Sequence, residues 1–302
     1  MSGRLHIAIV VPFMNEERHL GDLLSSMASQ TRPPDQLVLV DDGSSDRSPA
    51  LARAFAARYT WASVARRPPR RVGRDRLAGG AALQAFAWGV ERAGASWGVI
   101  AKVDADLRLT PRTLETLEHA FLRDPALGVA GAFLSVRRPG GAERERLPRD
   151  HVHGETKFYR RACWHDIAPL PPLLGWDTID VIRARLTGWR TASFEIPGGD
   201  PIHLRPMGTH DGLLRGWRRW GRCAWSFGEH PLHVAAMAVQ RIGDRPAGLG
   251  SANYVAGWVA AAVARAPRAE PAVRAYVRHD QLRRLRRRLS GRRTRPQAEP
   301  GR

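Results

Sequence analysis

The sequence is poor in cysteine and lacks a long hydrophobic run. Its two cysteines, Cys163 and Cys223, lie far apart, and no metal-ligand spacing surrounds them. This argues against a disulfide framework or a structural zinc site and favours a reducing compartment. The longest apolar stretch, Tyr254 to Ala266, is shorter than the about 20 residues that a membrane-spanning helix needs. Because the N-terminus also lacks the layout of a signal peptide, we expect a cytoplasmic protein.

Acidic residues are scarce relative to basic ones. The 302 residues include 48 lysines and arginines but 29 aspartates and glutamates, which gives a formal net charge of +19. Such a charge favours solubility, and it also suits a nucleic acid, an anionic membrane surface or a phosphate-bearing substrate. The hydrophobic fraction of 43% is sufficient for a buried core and argues against a globally disordered chain.

Strand-like and helix-like segments alternate through the first half of the chain. His6 to Phe13 and Gln36 to Asp46 contain continuous apolar runs, and an amphipathic helix with Asn15 as its candidate N-cap lies between them. The apolar face of this helix is formed by Leu20, Leu23, Leu24 and Met27. Continuous apolar strands are typical of parallel sheets that are covered on both faces. The pattern predicts an α/β fold with a mostly parallel sheet, including a strand at Leu127 to Val136 and a loop at Arg137 to Asp150.

Two acidic pairs follow apolar strands, Asp41 with Asp42 and Asp104 with Asp106. In an Asp-x-Asp sequence both side chains leave the same side of an extended segment, where they repel each other unless a cation lies nearby. A divalent cation with a diphosphate meets this need, because Mg²⁺ takes one or two carboxylates and completes its shell with phosphates and water. Aspartate is also common at strand ends for turns and caps, so Asp-x-Asp alone is weak evidence.

The order of several motifs resembles the family 2 glycosyltransferases with the GT-A fold. These motifs are VVPFMNEE, then LVLVDDGSSD, then VDADL, and finally LLGWDTIDVIRARLTGWRTASF, which ends at Phe194. The resemblance covers about residues 5–210. Within the family, the sequence is similar to a soluble subgroup without transmembrane helices. It implies a Rossmann-like, mostly parallel sheet flanked by helices, and a nucleotide-sugar donor, with a UDP-sugar favoured.

The resemblance also implies roles for individual residues. The nucleotide-sugar site would comprise Pro12, Asn15, Glu16, Asp41, Asp42 and Asp104. Asp104 and Asp106 would bind Mg²⁺ or Mn²⁺, with His203 as the best candidate for a further ligand. His203 is, as an isolated histidine, equally compatible with a structural role. The family's Gly-Lys element is missing, and Arg74 or Arg76 is an alternative contact for the phosphates.

The catalytic base has two candidates. Asp177 matches the family's base position, although this chain has Trp176-Asp177 where family members often have Glu-Asp. Asp180 lies on the same helix face and is the alternative base, or an acid that favourably interacts with the helix N-terminus. One base and an in-line attack predict inversion at the anomeric carbon. The preceding residues Thr156, Lys157 and Tyr159 are candidates for shaping the acceptor pocket.

After about residue 210 the composition changes. Residues 1–210 are predicted to form the catalytic domain, residues 211–289 a helical, basic, Trp-rich extension, and residues 290–302 a disordered basic tail. In the extension, Leu213, Trp217 and Trp220 share one helical face, and arginines occupy the others. This pattern fits a helix packed on a domain and, equally, peripheral attachment to the cytosolic face of an anionic membrane.

The sequence therefore predicts a metal-dependent, inverting glycosyltransferase. Its acceptor would be a hydroxyl of a glycan or of a lipid-linked glycan precursor in cell-envelope or exopolysaccharide synthesis. A sugar nucleotidyltransferase is the alternative, but it normally has a Gly-rich basic loop where this chain has PFMNEE. A nucleic-acid-binding protein is disfavoured, because no RRM, KH or zinc-finger signature is present and the basic residues cluster in the tail.

Overall fold

A computed structural model describes residues 3–68, 80–138, 140–145, 148–205, 212–244 and 246–289. The expectations for Arg74, Arg76 and the tail 290–302 lie outside the described residues. The chain divides into two compact units, Met1–Thr209 and His210–Arg302.

The first unit begins with an alternation of strands and helices. Its first elements are β1 (Ile7–Phe13), α1 (Leu20–Ala28), β2 (Gln36–Asp41), α2 (Ser48–Ala56) and β3 (Ala62–Arg66). Strands β1, β2 and β3 are parallel neighbours. The buried side chains of α1 include all four residues of its predicted apolar face.

The remaining elements of this unit complete two sheets. They are α3 (Ala81–Arg92), β4 (Val99–Val103), β5 (Leu107–Arg108), α4 (Thr113–Arg123), β6 (Leu127–Ala132), β7 (Ser135–Arg138), β8 (Gly141–Arg144), β9 (Thr156–Arg160), α5 (Arg161–Ile167), α6 (Trp176–Leu186), β10 (Arg190–Phe194) and β11 (Ile202–His203). The larger sheet has the strand order β10-β6-β9-β4-β1-β2-β3, and the smaller one has the order β5-β11-β7-β8. The larger sheet is parallel except at β9, which runs antiparallel to β4 and β6.

Apolar side chains cover both faces of the larger sheet. Ile7 and Ile9 point into the cluster beneath α1 and α4, whereas Ala8 and Val10 point into the opposite cluster beneath α3. Helix α3 lies so close to β1 that a Cβ atom at Gly89 would approach Val10 Cγ1 to 2.4 Å. This two-sided burial explains the continuous apolar runs of the sequence, and it leaves the carboxyl ends of the strands as the place for polar side chains.

Two local predictions are wrong. The strand expected at residues 127–136 is divided, because the chain leaves the larger sheet after β6 and continues as β7 in the smaller one. The loop expected at residues 137–150 contains the end of β7 and all of β8, which pair as an antiparallel hairpin. Gly140, with a φ of 101°, supplies a left-handed backbone conformation before β8.

The second unit is helical. It contains α7 (Leu213–Ser226), α8 (Pro231–Gln240), α9 (Leu249–Val263) and α10 (Pro271–Leu289). Helices α7 and α9 cross at two glycines, where a Cβ atom at Gly221 would lie 1.9 Å from Tyr254 O and one at Gly257 would lie 2.0 Å from Arg218 O. Within the part of the chain that the structure describes, no helix combines the length and the apolarity that crossing a membrane requires.

Candidate functional site

The loops that follow β1 and β2 are tied together by Asn15. Its backbone N–H donates to Ser44 Oγ at 3.1 Å, and its side-chain oxygen accepts from the backbone N–H of Ser45 at 2.8 Å. Asn15 has a φ of 55°, and helix α1 begins only at Leu20, so the prediction of Asn15 as the helix N-cap is wrong. Its hydrogen-bonding capacity is used between the two strand-end loops, because the chain turns sharply before the helix begins.

Asp41, the last residue of β2, is buried at the same edge of the sheet. Its Oδ1 accepts from the backbone N–H groups of Gly43 at 3.2 Å and Ser44 at 2.8 Å, and the turn relies on a φ of 97° at Gly43. Its Oδ2 has no hydrogen-bond partner among the described residues, although Arg66 Nε lies 3.6 Å away. One buried carboxylate oxygen is therefore available to a ligand that donates a hydrogen bond.

Two other predicted nucleotide-site residues lie nearby in the fold. Pro12 is half-buried at the end of β1, opposite Val40 in the parallel register. Asp42 follows β2, and its Oδ1 accepts from Arg67 Nη1 at 2.6 Å.

Asp104 follows β4 and is bound by a buried lysine. Lys102 Nζ donates to Asp104 Oδ1 and also to the backbone oxygen of Gly154, at 2.8 Å. The Asp104 side chain is 33% exposed. Burial raises the pKa of its carboxyl group, and the Lys102 ammonium opposes this shift. The Asp104 carboxylate is thus accessible to solvent, while the Lys102 ammonium holds its orientation.

Asp106 and His203 are brought together by the smaller sheet. Leu107 on β5 pairs with His203 on β11, which places His203 Nε2 3.2 Å from Asp106 Oδ2. Burial alone would raise the pKa of Asp106, but His203 and Arg205 lower it to about 2. His203 Nδ1 is buried without a hydrogen-bond partner among the described residues.

Arg205 joins two of the acids, and the sequence reasoning missed it. Its Nε donates to Asp106 Oδ2 at 3.1 Å, and its Nη2 donates to Glu16 Oε1 at 2.5 Å. Burial raises the pKa of Glu16, and Arg205 counteracts this. The spacing of His203 and Arg205 could have indicated Arg205 as a site residue, since side chains two positions apart leave an extended segment on the same side.

The donor set suits a divalent cation that a diphosphate completes. Asp104, Asp106 and His203 offer carboxylate oxygens and an imidazole nitrogen, and the partnerless His203 Nδ1 is a buried polar atom without an internal role. No three acidic, histidine or cysteine side chains in the described ranges are grouped closely enough to hold a metal by themselves. A site with one or two protein carboxylates and phosphate oxygens matches the way Mg²⁺ is bound.

Asp177 lies in the first turn of α6, beside the segment that precedes β9. It is half-buried, and a Cβ atom at Gly154 would lie 2.4 Å from its Oδ2. The backbone oxygen of Asp177 accepts a hydrogen bond from Lys157 Nζ. Gly154 also accepts from Lys102, so a chain of contacts joins Asp177 to Asp104.

Asp180 is fully buried, and its oxygens are occupied. Lys157 Nζ donates to its Oδ1 at 2.7 Å and to its Oδ2 at 2.8 Å. Tyr159 Oη donates to Oδ2 at 2.5 Å, and the backbone N–H of Val181 donates to Oδ1 at 2.6 Å. Thr156, Lys157 and Tyr159, the residues expected to shape the acceptor pocket, are all buried.

A further group of titratable residues, which sequence reasoning did not single out, precedes β9. His153 Nδ1 lies 3.3 Å from Glu145 Oε2 and 3.8 Å from Glu155 Oε2. Burial and the neighbouring charge of Asp104 raise the pKa of Glu155 to about 7. Burial, with His151 and other cations, lowers the pKa of His153 to about 4. The segment HVHGET could have indicated this group, since it contains two histidines and one glutamate just before a strand.

Comparisons with known proteins agree with this arrangement. The family model "Glycosyl transferase family 2" matches residues 8–169, more than half of the chain. The fold resembles the mannosyltransferase PcManGT from Pyrobaculum calidifontis in complex with GDP-Man and Mn²⁺, at 17% identity and a TM-score of 0.53 over 97% of this chain and 82% of that one. It also resembles S. aureus TarS 1–349 in complex with UDP-GlcNAc, at 16% identity and a TM-score of 0.52 over 84% of this chain and 72% of that one.

A third similar structure is GalNAc-T7 with UDP, GalNAc and Mn²⁺, at 16% identity and a TM-score of 0.53 over 73% of this chain and 48% of that one. At such low identities these likenesses bear on the fold alone, and they confirm the predicted GT-A class. A comparison with curated proteins finds no match.

Proposed function

We propose that this chain, which belongs to glycosyl transferase family 2, moves a sugar from a nucleotide-sugar to a hydroxyl acceptor by a metal-dependent, inverting reaction. The observation that carries the proposal is the arrangement of carboxylates at one edge of the sheet. Asp41 ends β2 and Asp104 follows β4, the two strands that flank β1, and Asp106 lies just before β5 of the smaller sheet. Asp177 is joined to Asp104 through Lys102 and Gly154.

The donor is proposed to bind at the ends of β1, β2 and β4. The second oxygen of Asp41 suits an N–H or O–H group of the nucleoside, and we favour a UDP-sugar. Solved relatives of the fold hold UDP-GlcNAc or GDP-Man, which supports a nucleotide-sugar without choosing the base or the sugar.

Asp104, Asp106 and His203 would hold Mg²⁺ or Mn²⁺. Such an ion acts as a Lewis acid that stabilises the charge of a leaving diphosphate. Arg205 already contacts Asp106 and Glu16, and its planar guanidinium is suited to binding phosphate oxygens as well.

Asp177 is the proposed base. Its carboxylate would take the proton from the acceptor hydroxyl as that oxygen bonds to the anomeric carbon and the bond from this carbon to the diphosphate breaks. A single displacement of this kind inverts the configuration of the anomeric carbon. Asp180 is a poorer candidate, because Lys157, Tyr159 and Val181 donate to its buried oxygens.

The test is turnover of a nucleotide-sugar by the purified full chain. A thermal-shift screen with Mn²⁺ and UDP-, GDP- and dTDP-sugars selects the donor, and hydrolysis or transfer is then measured with and without EDTA. We expect EDTA and Asp106→Ala to abolish turnover, and Asp177→Asn to abolish it while donor binding persists. Full turnover by Asp106→Ala would refute the metal assignment, and full turnover by Asp177→Asn would refute the base. Release of pyrophosphate from a nucleoside triphosphate would instead favour a nucleotidyltransferase.

We also propose that the second unit attaches the enzyme to an anionic membrane surface, where a lipid-linked glycan precursor would be the acceptor. Helices α8 and α9 contain no Asp, Glu, Lys or Arg, yet they expose apolar side chains in helical stripes. These residues are Leu232, Ala235, Ala236 and Val239 on α8, and Leu249, Ala252, Ala256, Val259 and Val263 on α9. Val239 is 71% exposed and Val263 is 79% exposed, whereas the apolar face of an amphipathic helix is usually buried.

The charge of the unit favours anionic lipid over a second copy of the chain. Residues 212–289 contain fifteen arginines and four acidic residues, so two copies would repel each other. Arg241 lies over the ring of Trp220, with 4.6 Å from the guanidinium carbon to the ring centroid. Arginine and tryptophan together are typical of helices that lie in a membrane interface.

Vesicle flotation tests this attachment. We expect the full chain to float with vesicles of phosphatidylglycerol and much less with vesicles of phosphatidylcholine, and Val239→Asp/Val263→Asp to remain in the soluble fraction with both. Leu186→Asp, which changes an exposed apolar residue of the first unit, is the matched control and should float. The membrane assignment would be overturned if the unchanged protein did not float. It would also be overturned if the unchanged protein formed a concentration-dependent dimer and the double variant remained monomeric.

A further inference from the structure

Two buried lysines lie directly opposite each other in the larger sheet. Lys102 on β4 and Lys157 on β9 are register partners in the antiparallel pair, and both side chains are buried. Like charges in directly opposed positions destabilise a sheet, and a buried ammonium group is costly unless it is paired. The arrangement therefore requires specific compensation, which the surrounding residues supply.

Each lysine has a carboxylate partner and a backbone partner. Lys157 donates to Asp180 and to the backbone oxygen of Asp177, and Lys102 donates to Asp104 and to the backbone oxygen of Gly154. The buried ring of Trp176 lies near both cations, with its centroid 5.6 Å from Lys102 Nζ and 5.9 Å from Lys157 Nζ. Contacts of this kind between a cation and an aromatic ring are favourable, particularly where water is excluded.

The two backbone acceptors converge on one carboxylate. Lys157 holds the backbone of Asp177, while Lys102 holds Gly154, whose Cα faces Asp177 Oδ2 closely enough that a side chain there would collide with it. Asp180 in turn fixes the ammonium of Lys157, and Tyr159 Oη donates a hydrogen bond to Asp180 Oδ2. Lys157, Asp180 and Tyr159 need not touch substrate to determine where the Asp177 carboxylate lies.

We propose that Lys157 is a positioning residue that fixes the backbone of Asp177 and thereby aims its carboxylate at the acceptor hydroxyl. Asp180 serves as the buried anchor of this lysine. The inference rests on the proposed function, because it requires Asp177 to be the base. It extends that function because it gives a role to the Lys157–Asp180 ion pair, which is not required for binding either the donor or the metal.

The decisive variant is Lys157→Met/Asp180→Asn, which removes both charges and approximately keeps the volumes. Replacing a buried ion pair by neutral groups is often tolerated, whereas removing one partner leaves a buried charge unpaired. The single variant Asp180→Asn is the comparison, because its amide oxygen still accepts from Lys157 and the contact to Asp177 remains. It leaves the buried ammonium without a counter-charge, so its stability is measured beside its turnover. The triple variant Lys157→Met/Tyr159→Phe/Asp180→Leu removes all three polar groups and serves if the double variant does not fold.

Hydrolysis of the nucleotide-sugar that the thermal-shift screen selects, with water as the acceptor, provides kcat and KM. Calorimetry with UDP and Mn²⁺ provides donor-site affinity, and thermal unfolding provides stability. We expect kcat of the double variant to fall about 10- to 100-fold, the range associated with a misplaced catalytic group. KM and the affinity for UDP should stay within about twofold of the unchanged protein, because Lys157 and Asp180 form their hydrogen bonds with Asp177, Tyr159, Val181 and each other and with none of the proposed donor-binding residues. Asp180→Asn should lose markedly less turnover than the double variant.

Two results would overturn the inference. Equal kcat for the double variant and the unchanged protein would remove the positioning role while leaving Asp177 as the base. Loss of turnover in Asp180→Asn as complete as in Asp177→Asn would make Asp180 itself the base. Asp177→Asn distinguishes these failures from a failure of the proposed function, since full turnover by that variant refutes the base assignment from which the inference starts.

Discussion

At the scale of single residues, the site depends on contacts that have no sequence signature. The acids Asp104 and Asp106 were foreseeable, because Asp-x-Asp follows a buried strand. Lys157 was a candidate for the acceptor pocket, but the burial of Lys102 and Lys157 was not foreseeable, since a lysine within a strand normally predicts an exposed position. Their burial becomes intelligible only when Asp104 and Asp180 are placed beside them.

Gly154 is predicted to be necessary for activity rather than for folding. Gly154→Ala would place a Cβ atom 2.4 Å from Asp177 Oδ2, and the carboxylate would have to move because it is the flexible end of a side chain. We expect turnover to fall about 10- to 100-fold with an almost unchanged melting temperature. Gly98→Ala is the control, because its Cβ atom would meet Leu5 Cδ2 at an ordinary 3.5 Å. Equal activity of both variants would contradict the placement of Asp177.

His153 is predicted to make the folded state sensitive to acid. Its folded pKa, about 4, lies below its ordinary value of 6.5 because the imidazole is buried, so the unfolded chain binds the additional proton. The stabilisation is complete above pH 6.5 and is lost as the pH falls towards 4, at up to about 1.4 kcal/mol per pH unit. We expect the melting temperature to decline less steeply between pH 6.5 and 4 in His153→Gln than in the unchanged protein. Parallel profiles would show that His153 does not titrate in this way.

At the scale of elements, sequence periodicity predicted which face of a helix or strand is buried, but not where the chain passes from one sheet to the other. The apolar spacing of α1 was sufficient because that helix has one buried face. The division of the apolar run at residues 127–136 was not predictable, since both halves are buried and only their pairing with different sheets separates them. Similarly, β9 runs antiparallel between β4 and β6, and local sequence does not encode strand direction.

The crossing of α7 and α9 is predicted to be sensitive to a single methyl group. In Gly221→Ala the new Cβ atom would lie 1.9 Å from the backbone oxygen of Tyr254, which cannot rotate away. We expect a loss of about 1–3 kcal/mol or more in the stability of the second unit, as for overpacked cores. Gly243→Ala, whose Cβ atom would meet nothing within 4 Å, should unfold like the unchanged protein. Thermal unfolding of the two full-length variants provides the comparison.

At the scale of the whole molecule, the excess of basic residues and the exposed apolar stripes act together. The formal charge of +19 provides long-range attraction to anionic surfaces, and the stripes of α8 and α9 provide short-range contact with hydrocarbon. The sequence indicated the charge and the absence of a spanning segment. It did not indicate which side chains are exposed, because helix patterns alone do not show which face is covered by neighbours.

Salt is therefore predicted to weaken but not abolish attachment to phosphatidylglycerol vesicles. Raising the ionic strength from about 0.01 to 0.15 M shortens the screening length from about 30 to 8 Å, which removes most of the electrostatic attraction. The apolar contribution should persist, so a fraction of the protein still floats. Flotation that disappears completely at 0.15 M in the unchanged protein would show that charge alone acts and that the stripes have another use.

The buried lysine pair also constrains how this sequence can change over evolution. Lys157 and Asp180 neutralise each other where water cannot enter, so losing either one alone leaves an unpaired charge in the interior. Substitutions at these two positions should consequently covary among homologues, with both charges retained or both replaced. Homologues that keep Asp180 but carry an aliphatic residue at the position of Lys157 would need another cation nearby. The position of that cation would show a second way to neutralise the buried carboxylate of Asp180.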